Sequence, residues 1–279
     1  MSDDASKNVM RLSPSTAKIL LRKSPLIAWT RHRMGGDVET EDTDSMLRGK
    51  ILDRMLLGVG PEIVVVDAKD WRTNAAKETR DAAEAAGKLP VLVGKLDAYN
   101  EIVEAWRSQL AERGCRITEG RVQKRLEWES EGVPCCGKPD SVLVDGRSAI
   151  IYDLKSVEDA SDDAVVRAVV NYGWDIQAAA YVEGVEATWP DLAGRVTYEI
   201  VPCESTRENA FSVNVKPMGH TMLELGARKW ARAKRLWGEC LRSGKWRGYS
   251  GTPIEATAWQ LSDEMEREMG ANDNATAPF

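Results

Sequence analysis

The chain has 279 residues, 43% of them hydrophobic and 29% charged, with a formal net charge of −6. That is the make-up of an ordinary globular protein with enough length to bury a core. No apolar run approaches a membrane span and the opening Met1-Ser2-Asp3-Asp4 has no apolar signal core, so a cytoplasmic protein without membrane contact is expected.

Residues 13–33 open with Ser13-Pro14-Ser15, a helix start, and carry an apolar stripe of Ala17, Leu20 and Leu21. Asp37 to Asp44 holds five acids and reads as a loop. Leu47, Ile51, Met55 and Leu56 then return at helical spacing, and Glu62 to Val66 reads as a short buried strand. Thr73 to Ala86 is an Ala-rich charged helix. Leu96, Tyr99, Val103, Trp106 and Leu110 mark an amphipathic one. Residues 121–130 and 133–144 read as paired strands around Glu131-Gly132. Residues 162–186 are helical with a break near Gly173. Val196–Val201 and Phe211–Val215 read as strands, Leu223 to Leu241 as a long helix with Trp230 and Trp237 in the core, and the stretch from Gly270 as a loose polar tail.

The residues that carry chemistry lie in 138–155. Asp145-Gly146 between apolar β-formers is a hairpin signal, and a two-residue turn there pairs Val144 with Arg147, Val142 with Ala149 and Asp140 with Ile151. Alternation then puts Ile151, Asp153 and Lys155 on one face, with Asp140 diagonal to Asp153. Two carboxylates so placed suit a hard divalent cation. A cation there polarises a phosphate, and a lysine beside it can orient water or stabilise negative charge. The plainer reading is a surface hairpin with solvated charges. Against that, Asp153 and Lys155 interrupt the apolar run Ile150-Ile151-Tyr152-Asp153-Leu154-Lys155, and acids and lysines are rarely buried without a partner.

Other chemistries lack support. The five cysteines show no Cys-x-x-Cys spacing, so zinc and iron–sulfur sites are not implied and reduced thiols are expected. His32 and His220 have no companions at catalytic spacing, and there is no phosphate-cradling glycine loop. The acidic total hides two basic stretches. Ala5 to Gly36 has seven Lys or Arg and no acid, and Gly226 to Arg247 has eight against the single acid Glu239. Such stretches suit phosphate contact, though charge runs are commonly just solvated helix faces.

Pro139-Asp140, Asp153-Leu154-Lys155 and Gln177-Ala-Ala-Ala-Tyr181 resemble the core motifs of the PD-(D/E)xK nuclease superfamily, and more narrowly the phage RecE-type (exonuclease VIII-like) exonucleases. Asp70 to Lys77, running into Ala86-Gly-Lys88, resembles that group's helical insertion. Gly244-Lys-Trp-Arg-Gly-Tyr249 resembles its C-terminal signature, and Ser13-Pro14-Ser15 with Ser24-Pro25 its N-terminal helix. The resemblance implies an α/β fold with a PD-(D/E)xK-type restriction-endonuclease-like core, a small mixed β-sheet flanked by helices. It implies one nuclease domain over residues 1–279, with 1–10 and 265–279 as flexible ends. The activity it implies is Mg²⁺- or Mn²⁺-dependent 5′→3′ digestion of double-stranded DNA from its ends, by a homo-oligomeric ring working beside a single-strand annealing protein in phage-type recombination.

By motif position, Asp140, Asp153 and the Leu154 carbonyl would be metal ligands and Lys155 the catalytic lysine. Gln177 would contact the attacking water or phosphate, with Tyr181 beside it. Arg48-Gly-Lys-Ile-Leu-Asp53 falls where the superfamily often has Arg-Gly-x-x-Leu-His, so Asp53 takes a slot used for a metal-binding histidine; a solvent-facing helical acid is the other reading. A family glutamate would fall near Gln123. Strand alternation puts Gln123, Arg125 and Glu127 on one face, so Glu127 could substitute or be a surface acid. Arg48 and Arg31, or Arg33, are candidates for a terminal phosphate, and Trp71 for a substrate contact. Two alternatives stay open: a non-catalytic DNA-end-binding protein on the same fold, and a structure-specific endonuclease.

Overall fold

The computed structural model describes residues 9–33, 44–251 and 253–275. Nothing is described of the side chain of Arg33 or of residues 34–43, so the acidic loop expected at Asp37 to Asp44 lies outside the described residues apart from Asp44. By compactness the chain divides into Met1–Arg247 and Gly248–Phe279. No described helix is long and apolar enough to cross a membrane.

The first unit begins with two helices rather than one. α1 (Pro14–Arg22) starts where the Ser13 hydroxyl accepts the Thr16 N–H at 3.1 Å, with proline at its first position. It stops before Ser24-Pro25, because proline disfavours helical backbone in the residue ahead of it, and α2 (Pro25–Arg33) follows. α3 (Asp44–Leu57) precedes β1 (Ile63–Val66), of which only Val66 is buried, so this strand is more exposed than its apolar run suggests. α4 (Asn74–Ala85), β2 (Leu89–Leu92) and the long α5 (Val93–Glu112) come next, with β1 and β2 pairing in parallel.

The centre is a five-stranded mixed sheet. β3 (Arg121–Val122), β6 (Ser141–Asp145), β7 (Ser148–Val157), β8 (Val196–Glu204) and β9 (Lys216–Pro217) lie in the order β3-β6-β7-β8-β9. β7 and β8 are parallel and joined through α6 (Asp162–Tyr172) and α7 (Trp174–Thr188); the other pairs are antiparallel. Gly173 separates the two helices with a φ of +65°, a left-handed conformation that a side chain resists. β4 (Leu126–Ser130) and β5 (Val133–Gly137) form a separate antiparallel ribbon about Glu131-Gly132, both at positive φ, as a type I′ turn requires. The pairing read from the sequence holds, but this ribbon is not in one sheet with β6.

Strand alternation builds two cores. Val142, Ala149, Ile151, Tyr198 and Ile200 face one layer with α1, α6, α7 and α8 (His220–Ser243). Leu143, Tyr152, Leu154, Val201 and Cys203 face the other, with α3 and α5. Trp230 and Trp237 are core, as their spacing predicts. α7 and α8 approach closely at Gly226, where a methyl group would overlap the Asp175 carbonyl. The Phe211–Val215 strand does not form. Ala210 and Phe211 both take φ of +51°, which coils the chain, and only Val213 bridges to Cys203.

The second unit contains α9 (Ala258–Ala275), so helical backbone reaches into the stretch expected to be loose from Gly270. Leu261, Met265 and Met269 recur on it every fourth residue and are exposed.

Candidate active site

The β6–β7 hairpin turns one residue later than the Asp-Gly signal suggests. Asp145 pairs with Ser148 and Val142 with Ile151, leaving Gly146-Arg147 as the turn. Gly146 alone has positive φ there, which matches a turn with glycine at its first central position rather than one needing two left-handed residues. The shift is by two residues in pairing, so every side chain keeps its face. Its consequence is favourable: Ser141 lies opposite Tyr152, and Asp140, next in line, comes level with Asp153 rather than with Ile151.

Asp140 Oδ2 accepts the Leu154 N–H at 2.8 Å. Asp153 is 1% exposed and both its oxygens are engaged. Oδ1 accepts from Gln177 Nε2 at 3.0 Å, and Oδ2 accepts from the Tyr198 hydroxyl at 2.6 Å and pairs with the Lys155 ammonium. The Gln177 amide also lies 3.3 Å from the Tyr181 hydroxyl, which donates to the Lys138 carbonyl at 3.0 Å. Gly137 makes room for this, since a Cβ there would stand 2.9 Å from the Tyr181 ring. Gln177 and Tyr181 reach the site together because they are one turn apart on α7. Lys155 also lies 5.6 Å from the centre of the Trp174 ring.

The electrostatics are under-compensated. Burial, then the Asp153 charge, push Asp140 up to about 8. Burial raises Asp53 to about 7, with Lys155 opposing and Asp153 adding to the shift. Burial works against charge on Lys155, but Asp153 and Asp140 hold its ammonium above the ordinary lysine value. Asp53 therefore belongs to the same electrostatic neighbourhood as Asp140, Asp153 and Lys155.

Two further residues complete the network. Lys18 of α1 donates to Gln177 Oε1 at 2.7 Å, and burial followed by repulsion from Lys155 lowers it to about 8. Its signal was its place in the stripe Pro14, Ala17, Lys18, Leu21, where a lysine stands on the inward face of the helix. Tyr198 was visible as a tyrosine between the apolar residues Val196 and Ile200, whose buried hydroxyl needs a partner.

The remaining candidates separate. Arg48 and Trp71 line a cleft of about 770 Å³ that Ser156, the residue after Lys155, also lines. Arg31 is exposed on α2, and no hydrogen bond or ion pair among the described residues joins it to the acids. Glu127 pairs with Arg11 at 2.9 Å and Arg125 at 2.8 Å, the behaviour of a surface acid. Gln123 takes a φ of +48° between β3 and β4, which breaks the alternation assumed for residues 123–127. The basic stretch on α8 is partly consumed inside the fold: Lys229 pairs with Asp175, and Lys234 with Glu183 and Glu131.

No group of three or more His, Cys, Asp or Glu side chains among the described residues is placed to hold a metal by itself. The donors still fit a divalent cation. They are hard oxygens, Asp140 Oδ1 accepts no hydrogen bond among the described residues, and the burial and Asp153 repulsion that together raise Asp140 are what a cation would offset. Asp140 and Asp153, with the Leu154 carbonyl, would hold it.

Residues 28–253 match the family described as "PDDEXK-like domain of unknown function (DUF3799)". The chain belongs to that PD-(D/E)xK-type family. It also resembles the crystal structure of a candidate exonuclease from Eubacterium rectale, with a TM-score of 0.54 and 18% identity over 91% of this chain and 93% of that one. A phage-related exonuclease from Haemophilus somnus 129PT matches with a TM-score of 0.36 and 11% identity over 86% and 99% of the two chains. No curated protein matches the chain. The fold is the expected mixed α/β core of the superfamily, a small mixed sheet between helical layers.

Proposed function

We propose that this chain is a metal-dependent deoxyribonuclease that hydrolyses phosphodiester bonds of double-stranded DNA from a 5′ end. The observation that carries the reading is the convergence of Asp140, just before β6, with Asp153 and the Lys155 ammonium within β7, and with Gln177 bound to Asp153. When bound, Mg²⁺ or Mn²⁺ supplies Lewis acidity that polarises a phosphate oxygen and makes water a stronger nucleophile. The protein's own groups do the rest. Lys155, held as a cation between the acids, offers N–H donors to the attacking water or to the charge that grows on the phosphate during in-line displacement. Gln177 fixes the Asp153 carboxylate from one side and Tyr198 from the other. Lys18 holds Gln177 Oε1, so the amide NH₂ is turned towards Asp153.

Phosphate contact outside the site is supported by a cavity of about 720 Å³ lined by Arg242, Lys245 and Arg247, with Glu239 the acid among its lining. The 5′→3′ polarity, the ring-shaped homo-oligomer and the annealing partner rest on the RecE-type resemblance.

Linear duplex with 5′-phosphate ends, incubated with Mg²⁺ or with EDTA, tests the reading. Mononucleotides should appear only with Mg²⁺, and a covalently closed circle should stay intact. An intact linear duplex under both conditions would favour a DNA-end-binding protein, and nicked circles an endonuclease.

A further inference from the structure

Asp153 and Lys155 both project from β7, and α7 grips each of them separately. Gln177 holds the Asp153 carboxylate from the helix. Trp174 stands three residues earlier, on the same helix face, and its ring centre lies 5.6 Å from the Lys155 ammonium. That distance is within the range of a cation held by an aromatic face, and the indole is the side chain that attracts cations most strongly.

The ring is fixed by more than this contact. Gly173, with its left-handed backbone, ends α6 and makes Trp174 the first residue of α7. Tyr172, just before the break, packs against the indole with 5.4 Å between ring centres and a tilt of 31°. Trp174 is also partly buried against the core that α7 shares with α1 and α8. The indole is therefore in place before Lys155 uses it.

The Lys155 side chain is 15% exposed, so solvent does little to fix its ammonium. Among the described residues that ammonium touches two partners, the Asp153 carboxylate and the Trp174 face. The two differ in one respect. Asp153 is also the proposed holder of a divalent cation, and a carboxylate shared with a cation attracts an ammonium less. The indole face takes no part in that competition.

We propose that Trp174 is a positioning residue for Lys155. Resting on the nuclease reading above, its indole keeps the ammonium at the site when Asp153 is shared with a cation, so that the N–H donors stay aimed at water or phosphate oxygen. Its role runs through Lys155 and not through a contact with DNA.

The test begins with proton resonances of the full chain, isotope-labelled at the lysine ε-carbons, in EDTA. The Lys155 signal is assigned by its loss in Lys155→Met. Protons above an indole face are shielded, so the Lys155 ε-protons should resonate upfield of those of exposed lysines. They should stay upfield when Mg²⁺ is added, move back in Trp174→Leu, and remain shielded in Trp174→Phe. On linear duplex with Mg²⁺, Trp174→Leu should lower kcat about tenfold and leave KM within about twofold, and Trp174→Phe should recover most of kcat. If the leucine variant does not fold, the native spectra and the phenylalanine variant still decide the matter. An unshielded Lys155 signal in the native chain, or one that loses its shielding with Mg²⁺, would overturn the proposal. So would equal kcat losses in both variants that track melting temperature, the result for a ring that only fills the core. A raised KM with kcat retained would overturn it too, by making Trp174 a DNA contact. A chain that digests DNA but shows no Trp174-dependent shift loses this proposal alone. One that shows the shift but never digests DNA keeps the contact and loses the nuclease reading, and the positioning role with it.

Discussion

One helix, α7, serves two charged clusters that are built in opposite ways. Gln177 and Tyr181 reach Asp153 and the loop before β6, where Asp140, Asp153 and Asp53 crowd about Lys155. Two residues beyond Tyr181, Glu183 accepts from the Trp128 indole at 2.8 Å, the Trp230 indole at 3.1 Å and the Lys234 ammonium at 2.8 Å. Lys234 also reaches Ser130 and Glu131. The second cluster satisfies its charges: burial opposes ionisation of Glu183, but its donors hold it below the ordinary glutamate value. In the first cluster Asp140 and Asp53 are left above theirs. On the proposed function, the difference is that between a charge kept to fix a fold and charges kept for a cation, with stability given up at the second.

If that division is right, substitutions in the two clusters should move different observables. Lys155→Ala should lower kcat on linear duplex by about 10³-fold, ~4 kcal/mol in the barrier, with DNA affinity changed far less. A loss of DNA binding with unchanged turnover per bound complex would remove Lys155 from the chemistry. Glu183→Gln should do the reverse, with kcat retained and stability in urea reduced by about 3 kcal/mol, because Lys234 is left buried with a weaker partner. Lys18→Met should reduce kcat about tenfold with little change in KM, and Lys18→Arg should restore part of it; equal losses in both variants, tracking a lower melting temperature, would make Lys18 merely structural. Asp140→Asn should abolish digestion while raising stability by about 1 kcal/mol, since it removes a repelled charge and keeps an acceptor for the Leu154 N–H.

The pH dependence of folding sharpens the same contrast. Because Glu183 sits below its ordinary value, its contribution is complete above that value and is lost as pH falls through the depressed folded one. For Lys234 burial lowers the value but Glu183 and Glu131 raise it further, so its contribution is complete below the ordinary lysine value and is lost as pH rises through the raised folded one. Denaturant melts of the native protein and Glu183→Gln from neutral to acid pH should converge as the acid limb is reached. A gap that stays constant across that range would contradict the assignment.

Much of this was legible in the sequence, for reasons that differ residue by residue. Asp153 and Lys155 stood out because they break an apolar run, and Gln177 and Tyr181 because helical spacing puts them on one face. The turn was misplaced by one residue because Asp-Gly and Gly-Arg both fit a tight hairpin, and only the backbone φ of Asp145 and Gly146 decides between them. That error left the site intact, since a shift of two in pairing preserves the faces of a strand. Lys18 and Tyr198 carry a local sign of burial, but the partners that give them a role lie 159 and 45 residues away, where no local pattern points. The proposed Phe211–Val215 strand failed where propensity met a turn: Phe211 donates its N–H to the Thr206 carbonyl at 3.0 Å instead of to a strand.

Manganese binding measured directly, by the loss of free-ion electron paramagnetic resonance signal with Mg²⁺ as competitor, tests the central claim without relying on turnover. The native chain should bind Mn²⁺, Mg²⁺ should displace it, and Asp140→Asn and Asp153→Asn should each weaken binding by at least about tenfold. Binding of the same strength in the native chain and in both variants would show that these carboxylates do not hold the cation.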